Sequence, residues 1–130
     1  MLHIEDLCVV RGQDHQAHRV YLPQLSLRPG EVVAVTGESG CGKSTLLEAI
    51  GLVLHPSKIG RFTLSKGAQQ QDIAALLLGE RHNTLAAIRA RELGFVLQNG
   101  GLLPYLNVKD NIPLPCSAPR PMIFYCALCP

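Results

Sequence analysis

The stretch Gly37-Glu38-Ser39-Gly40-Cys41-Gly42-Lys43-Ser44-Thr45 limits what this chain can fold into more than any other part of it. Its spacing is G-x-x-x-x-G-K-[ST]. Glycine tolerates backbone angles closed to other residues, so a loop of this kind turns tightly. Successive N–H groups can then converge on a single anion. The flanks suit that purpose. Residues 31–36, Glu-Val-Val-Ala-Val-Thr, form a β-branched apolar run of the kind that lies buried inside a parallel sheet. Residues 43–54 read as a helix, with Leu46, Leu47, Ile50 and Leu54 sharing an apolar face. A helix that starts at Lys43 aims its positive end at the glycine loop.

The chemistry of the loop explains the residue types. Lys43, at the helix start, reaches toward β- and γ-phosphates, and the Ser44 hydroxyl is placed to ligate Mg²⁺. Thr45 adds a hydroxyl near an α-phosphate. Cys41 occupies a variable position and reads as a small tolerated side chain. The alternative is a reactive thiol beside Lys43 and a helix N-terminus.

The remaining sequence supplies the frame. The chain has 130 residues and a net charge of +2, with 47% apolar residues. That suits one modest domain and excludes a large multidomain enzyme or wholesale disorder. The charge excess is too slight to argue for nucleic acid. The N-terminus lacks a secretory pattern, and no apolar run approaches the roughly 20 residues that span a bilayer. The odd cysteine count reads as reduced thiols in the cytosol, and Cys126-x-x-Cys129 as two thiols in a terminal tail. Apolar alternation predicts a strand ending at Arg11-Gly12, a polar loop over 13–19, and a second strand over 21–27 that Pro23 disturbs. A strand is expected over 60–64, helices over 72–78 and 80–92, a strand over 93–97, and a helix start over 108–112. Five of the nine prolines and three of the five cysteines fall after Ile112. Residues 115–130 therefore read as a tail outside the domain formed by 1–114.

Residues 25–47, together with Leu93-Gly94-Phe95-Val96-Leu97-Gln98-Asn99, closely resemble the ATP-binding domains of ABC transporters. The likeness is greatest to the exporter-type ATPases of bacterial lipoprotein-release and macrolide systems. The resemblance implies an α/β P-loop NTPase fold, with an N-terminal antiparallel β subdomain and a partial, incomplete parallel-sheet core. It implies that ATP is bound by Gly37, Glu38, Ser39, Gly40, Cys41, Gly42, Lys43, Ser44 and Thr45, with Lys43 carrying transition-state charge. Ser44 and Gln98 would hold Mg²⁺, and Gln98 would sense the γ-phosphate from its Q-loop. The implied partners are a transmembrane permease and a second ATP-binding subunit in a head-to-tail dimer. Together they would hold the chain at the inner, cytoplasmic face of a membrane.

Two departures from the family pattern stand out. The family stacks adenine on an aromatic ring near the end of its first strand, and the matching position here is Arg11. A guanidinium stacks on a purine, and Tyr21 is the nearest aromatic alternative. Beyond Gln98 the sequence contains no LSGGQ-type signature, no apolar strand ending in Asp-Glu and no switch histidine. Every histidine precedes Gln98. These residues are therefore expected to bind nucleotide without completing its hydrolysis. The alternatives are a non-catalytic interaction module or a small P-loop kinase or GTPase. The last two would want a lid or a base-reading motif, and neither is visible.

Overall fold

The computed structural model describes residues 1–12, 17–96, 103–112 and 122–125. Strands β1 (Leu2–Arg11) and β2 (His18–Leu27) form a long antiparallel hairpin. Strand β3 (Arg61–Lys66) pairs with the other edge of β1, and β4 (Gln69–Asp72) returns beside β3, giving the order β2-β1-β3-β4.

The hairpin contains one instructive irregularity. Leu2 and Ile4 face the core, and so do Leu7 and Val9, so the alternation changes phase at Asp6. Asp6 has a left-handed φ of 53°. It stands opposite Pro23, which has no N–H to give the ladder, and pairing skips this position. The phase of β2 changes at the same place, from Val20 and Leu22 to Leu25 and Leu27. The disturbance expected at Pro23 is thus a matched step in both strands.

Helix α1 (Lys43–Ile50), α2 (Ile73–Leu78) and α3 (His82–Glu92) complete the core. Phe62 and Leu64 from β3 join Ala49 and Ile50 of α1, Ile73 and Leu77 of α2, and Leu85 and Ile88 of α3 over the apolar face of β1. Helix α1 is shorter than expected because it stops at Gly51, after which Leu52 turns left-handed at φ 59°. Arg89 of α3 donates to the Leu52 carbonyl at 2.8 Å and so ties that turn down. The Asp72 carboxylate accepts from the N–H of Ala75 and caps α2. The polar Gln69–Asp72 segment carries no strand signal. It pairs because the turn at Gly67, at φ 59°, folds it back on β3.

Strand β5 (Leu93–Val96) follows α3 directly, and Phe95 packs near Gly51 at the end of α1. It pairs in parallel with β6 (Met122–Tyr125), which comes from the segment read as lying outside the domain. Helix α4 (Val108–Asn111) lies where a helix start was expected. Its buried Asn111 donates to the carbonyls of Leu103, Leu106 and Asn107 and so closes the preceding turn.

One expectation is corrected. Residues 31–36 form no strand, and the whole run is exposed. Among the described residues no strand lies alongside them, since the two sheets are β2-β1-β3-β4 and β5-β6. A β-branched run expresses its preference only on a pleated surface that neighbours cover, and that neighbour is not among the described strands.

This contrast is measurable. Phe62 is 1% exposed and Val32 is 93% exposed. Denaturant unfolding should find Phe62→Ala less stable by about 3–5 kcal/mol, and Val32→Ser changed by less than about 0.5 kcal/mol.

Candidate functional site

Residues 37–42 run from the exposed segment 31–36 into the first turn of α1, and three of them take backbone conformations that glycine favours. Gly37, Gly40 and Gly42 have φ of 148°, 81° and 99°. Gly42 is the N-cap of α1, and no side chain caps the helix there. The N–H groups at this helix start are therefore left to whatever binds in front of them. The first turn carries no acidic residue, so nothing in it offsets the positive end of the helix.

Lys43 draws the loop together. Its Nζ donates to the carbonyls of Gly37 at 2.9 Å and Glu38 at 2.7 Å, and it stands 3.8 Å from the Cys41 sulfur. The loop is also crowded by its own side chain. A Cβ added at Gly37 would come 2.9 Å from Cys41 Sγ. Cys41 is exposed, as are Glu38 and Ser39, while Ser44 is half-buried and Thr45 is buried against α1's packed side. Backbone N–H groups, an ammonium and an open helix end lie together here, and groups of these kinds can receive an anion. Among the described residues no cluster of His, Cys, Asp and Glu could hold a metal ion by itself. A hydroxyl such as that of Ser44 fits a hard cation that also takes phosphate oxygens.

The hairpin braces the loop from behind. A Cβ at Gly42 would collide with Val20 Cγ2 and stand 3.1 Å from His18 Nε2. No residue but glycine fits there, for reasons of both space and backbone angle. Sequence reasoning placed His18 in a polar loop and missed this contact. The signal was the alternation of Leu22 and Val20, which leads back to His18 on the same face.

The two candidates for a base contact are each engaged by a carboxylate. The Arg11 guanidinium is held at 2.8 Å by Glu48 of α1. Tyr21 is on the opposite face of β2 from Val20, and its hydroxyl donates to Asp6 Oδ1 at 2.5 Å. That hydrogen bond, with burial and the Asp6 charge, raises the Tyr21 pKa above the usual 10.0 of a tyrosine. Gln98 is outside the described residues.

The arrangement has counterparts among known proteins. The ABC transporter family model matches residues 23–126, running past Leu114. The macrolide export ATP-binding/permease protein MacB of Chromobacterium violaceum is 43% identical over 91 residues, 70% of this chain and 13% of that protein. The lipoprotein-releasing system ATP-binding protein LolD of Maricaulis maris is 44% identical over 91 residues, 70% of this chain and 36% of its own length. Among solved structures, the dimeric bacterial ABC transporter cassette MJ0796 superposes with a TM-score of 0.72 at 27% identity, covering 88% of this chain and 46% of that one. Its dimeric post-hydrolysis state bound to ADP and Pi gives 0.66 at 25% identity. The chain thus spans less than half the length of these relatives.

Two predictions follow from the site itself. Gly42→Ala should weaken binding of inorganic tripolyphosphate at least about tenfold in equilibrium dialysis, because the methyl must push β2 off the loop. An alkaline titration followed at 295 nm should show one tyrosine ionising above the usual range, and Asp6→Asn should bring it down. The raised pKa means the folded state holds this proton better. The associated stability is present below the unfolded value near 10 and fades as pH rises through the folded one.

Proposed function

The chain belongs to the ABC transporter family, and from that premise we propose that it binds the phosphates of ATP as part of a transporter's ATP-binding subunit. The fold agrees with this: an antiparallel sheet packs on helices α1 to α3, and the chain superposes on an ABC transporter cassette with a TM-score of 0.72. The observation that carries the reading is the position of Lys43, whose ammonium is drawn into the glycine loop by the carbonyls of Gly37 and Glu38 and the sulfur of Cys41. An incoming triphosphate offers that ammonium stronger, charge-assisted acceptors in the same place.

Each residue then has a role. The backbone of Gly37, Glu38, Ser39, Gly40, Cys41 and Gly42 lines the phosphates, and the first turn of α1 adds its N–H groups. Lys43 neutralises the β- and γ-phosphate oxygens. Thr45 is the hydroxyl next along the helix, on the α-phosphate side. Ser44 would ligate Mg²⁺ together with Gln98, and Mg²⁺ supplies charge neutralisation on the phosphates when bound. Gln98 also reports the γ-phosphate to the partner. Arg11, held by Glu48, sets the edge of the site. The partners are a membrane permease and a second ATP-binding subunit, which place the chain at the inner face of the membrane. Among the described residues no helix is long and apolar enough to cross one.

Turnover needs a carboxylate to activate water and a signature segment from the second subunit. After Gln98 the sequence contains no apolar strand ending in Asp-Glu and no signature segment, so binding is the part of the reaction assigned to these residues. Calorimetric titration of the 130-residue chain with Mg-ATP should give saturable binding, and Lys43→Ala should weaken it at least about tenfold. No phosphate should be released. Equal affinity in Lys43→Ala would overturn the binding site. Phosphate release that Lys43→Ala abolishes would overturn the assignment of binding alone.

A further inference from the structure

Phe62 and Leu64 of β3 belong to the core, so Arg61, Thr63 and Ser65 lie on the opposite face of the sheet. There they line a cleft of about 710 Å³ together with His3 of β1 and Gln70 and Asp72 of β4. The strand register orders these groups. Thr63 stands between His3 and Asp72, and Ser65 is opposite Gln70. No residue of the glycine loop lines this cleft. We propose that it binds a zwitterionic dipeptide, with the carboxylate on Arg61 and the ammonium on Asp72.

The floor of the cleft asks for a polar ligand. Thr63 is only 9% exposed, and among the described residues its hydroxyl meets no hydrogen-bond partner. No unpartnered polar side-chain atom among them is sealed from solvent, so this hydroxyl opens into the cleft. A ligand group placed against it gains a hydrogen bond that the fold does not supply. The two charges flank that hydroxyl. Glu5 Oε1 lies 2.7 Å from His3 Nε2 and 3.7 Å from Arg61 Nη1. The imidazole therefore engages Glu5 more closely, and the exposed guanidinium is left to take a carboxylate through two parallel N–H groups. Asp72 accepts from the Ala75 N–H at 3.0 Å through Oδ1, and a carboxylate with two oxygens has capacity left for an ammonium. Among the described residues no ion pair joins Arg61 to Asp72.

The span selects the length of the ligand. Asp72 is opposite Thr63, so Arg61 is its diagonal neighbour across the ladder. Such neighbours stand about 7–8 Å apart, and two extended residues span at most about 7 Å. A dipeptide thus brings its two ends to Arg61 and Asp72 and its peptide bond over Thr63. A free amino acid, with both charges on one carbon, falls short. The His3 ring forms a fixed wall, held by Ser26 Oγ at 2.6 Å on its other nitrogen.

The proposal does not depend on nucleotide binding, and its test uses neither. Alanylalanine is the probe. N-acetyl-alanylalanine and alanylalanine amide are controls that each lack one charge. Amide NMR spectra of the intact chain are recorded as each is added. Alanylalanine should move the amides of residues 61–65 and 69–72 in a saturable way, and each control should bind at least about tenfold more weakly. Arg61→Gln changes an exposed residue, and Asp72→Asn keeps a side chain that can cap α2. Spectra unchanged away from the cleft check that both variants fold. Each should weaken alanylalanine at least about tenfold. Silent amides in β3 and β4 overturn the proposal. Equal binding of the two controls also overturns it, because the cleft then reads a neutral polar ligand. Native affinity in either variant removes the charge assignment and the proposal with it.

Discussion

Gly42 is the point on which the rest of this structure depends. It is the N-cap of α1, the last residue of the glycine loop and the place where the hairpin touches both. Its left-handed backbone and missing side chain let Val20 and His18 approach, and they let the helix begin with its N–H groups uncovered. Lys43, the next residue, then reaches back to the carbonyls of Gly37 and Glu38 and closes the loop on itself. The loop is therefore held from within by an ammonium and approached by β2 at Gly42. A loop pre-shaped in this way loses less conformational freedom on binding than one that must first order.

The antiparallel sheet and the three helices share one core, and that core does not need residues 31–36. The apolar run leading into the loop is exposed, with Val32, Val33 and Val35 all open to solvent. The chain spans 46% of the solved cassette it superposes on. A run of this composition is a surface for another strand, and unpaired it invites association between chains. The β5–β6 pair gives β5 a parallel neighbour while 31–36 has none among the described residues.

The loop motif was legible because its chemistry dictates residue types at fixed spacing, and a helix was correctly expected to begin at Lys43. The phase change at Pro23 was legible too, since proline removes a ladder donor. What sequence could not show depended on distant neighbours. The run at 31–36 has every local preference of a strand, yet a strand exists only with a partner. The Gln69–Asp72 strand has no such preference and exists because a glycine turn delivers it to β3. His18 looked like loop because its role comes from packing against Gly42, more than twenty residues later in the chain. Its alternation with Val20 was readable, but the face on which that alternation mattered was not.

The central claim is that residues 37–45 form a phosphate cradle already shaped for its ligand. Amide hydrogen exchange with and without saturating Mg-ATP tests it most directly. The account predicts slowed exchange confined to the loop and the first turn of α1, with residues 31–36 exchanging as fast as before. Unchanged exchange at Gly42, Lys43 and Ser44 under saturating Mg-ATP would contradict it.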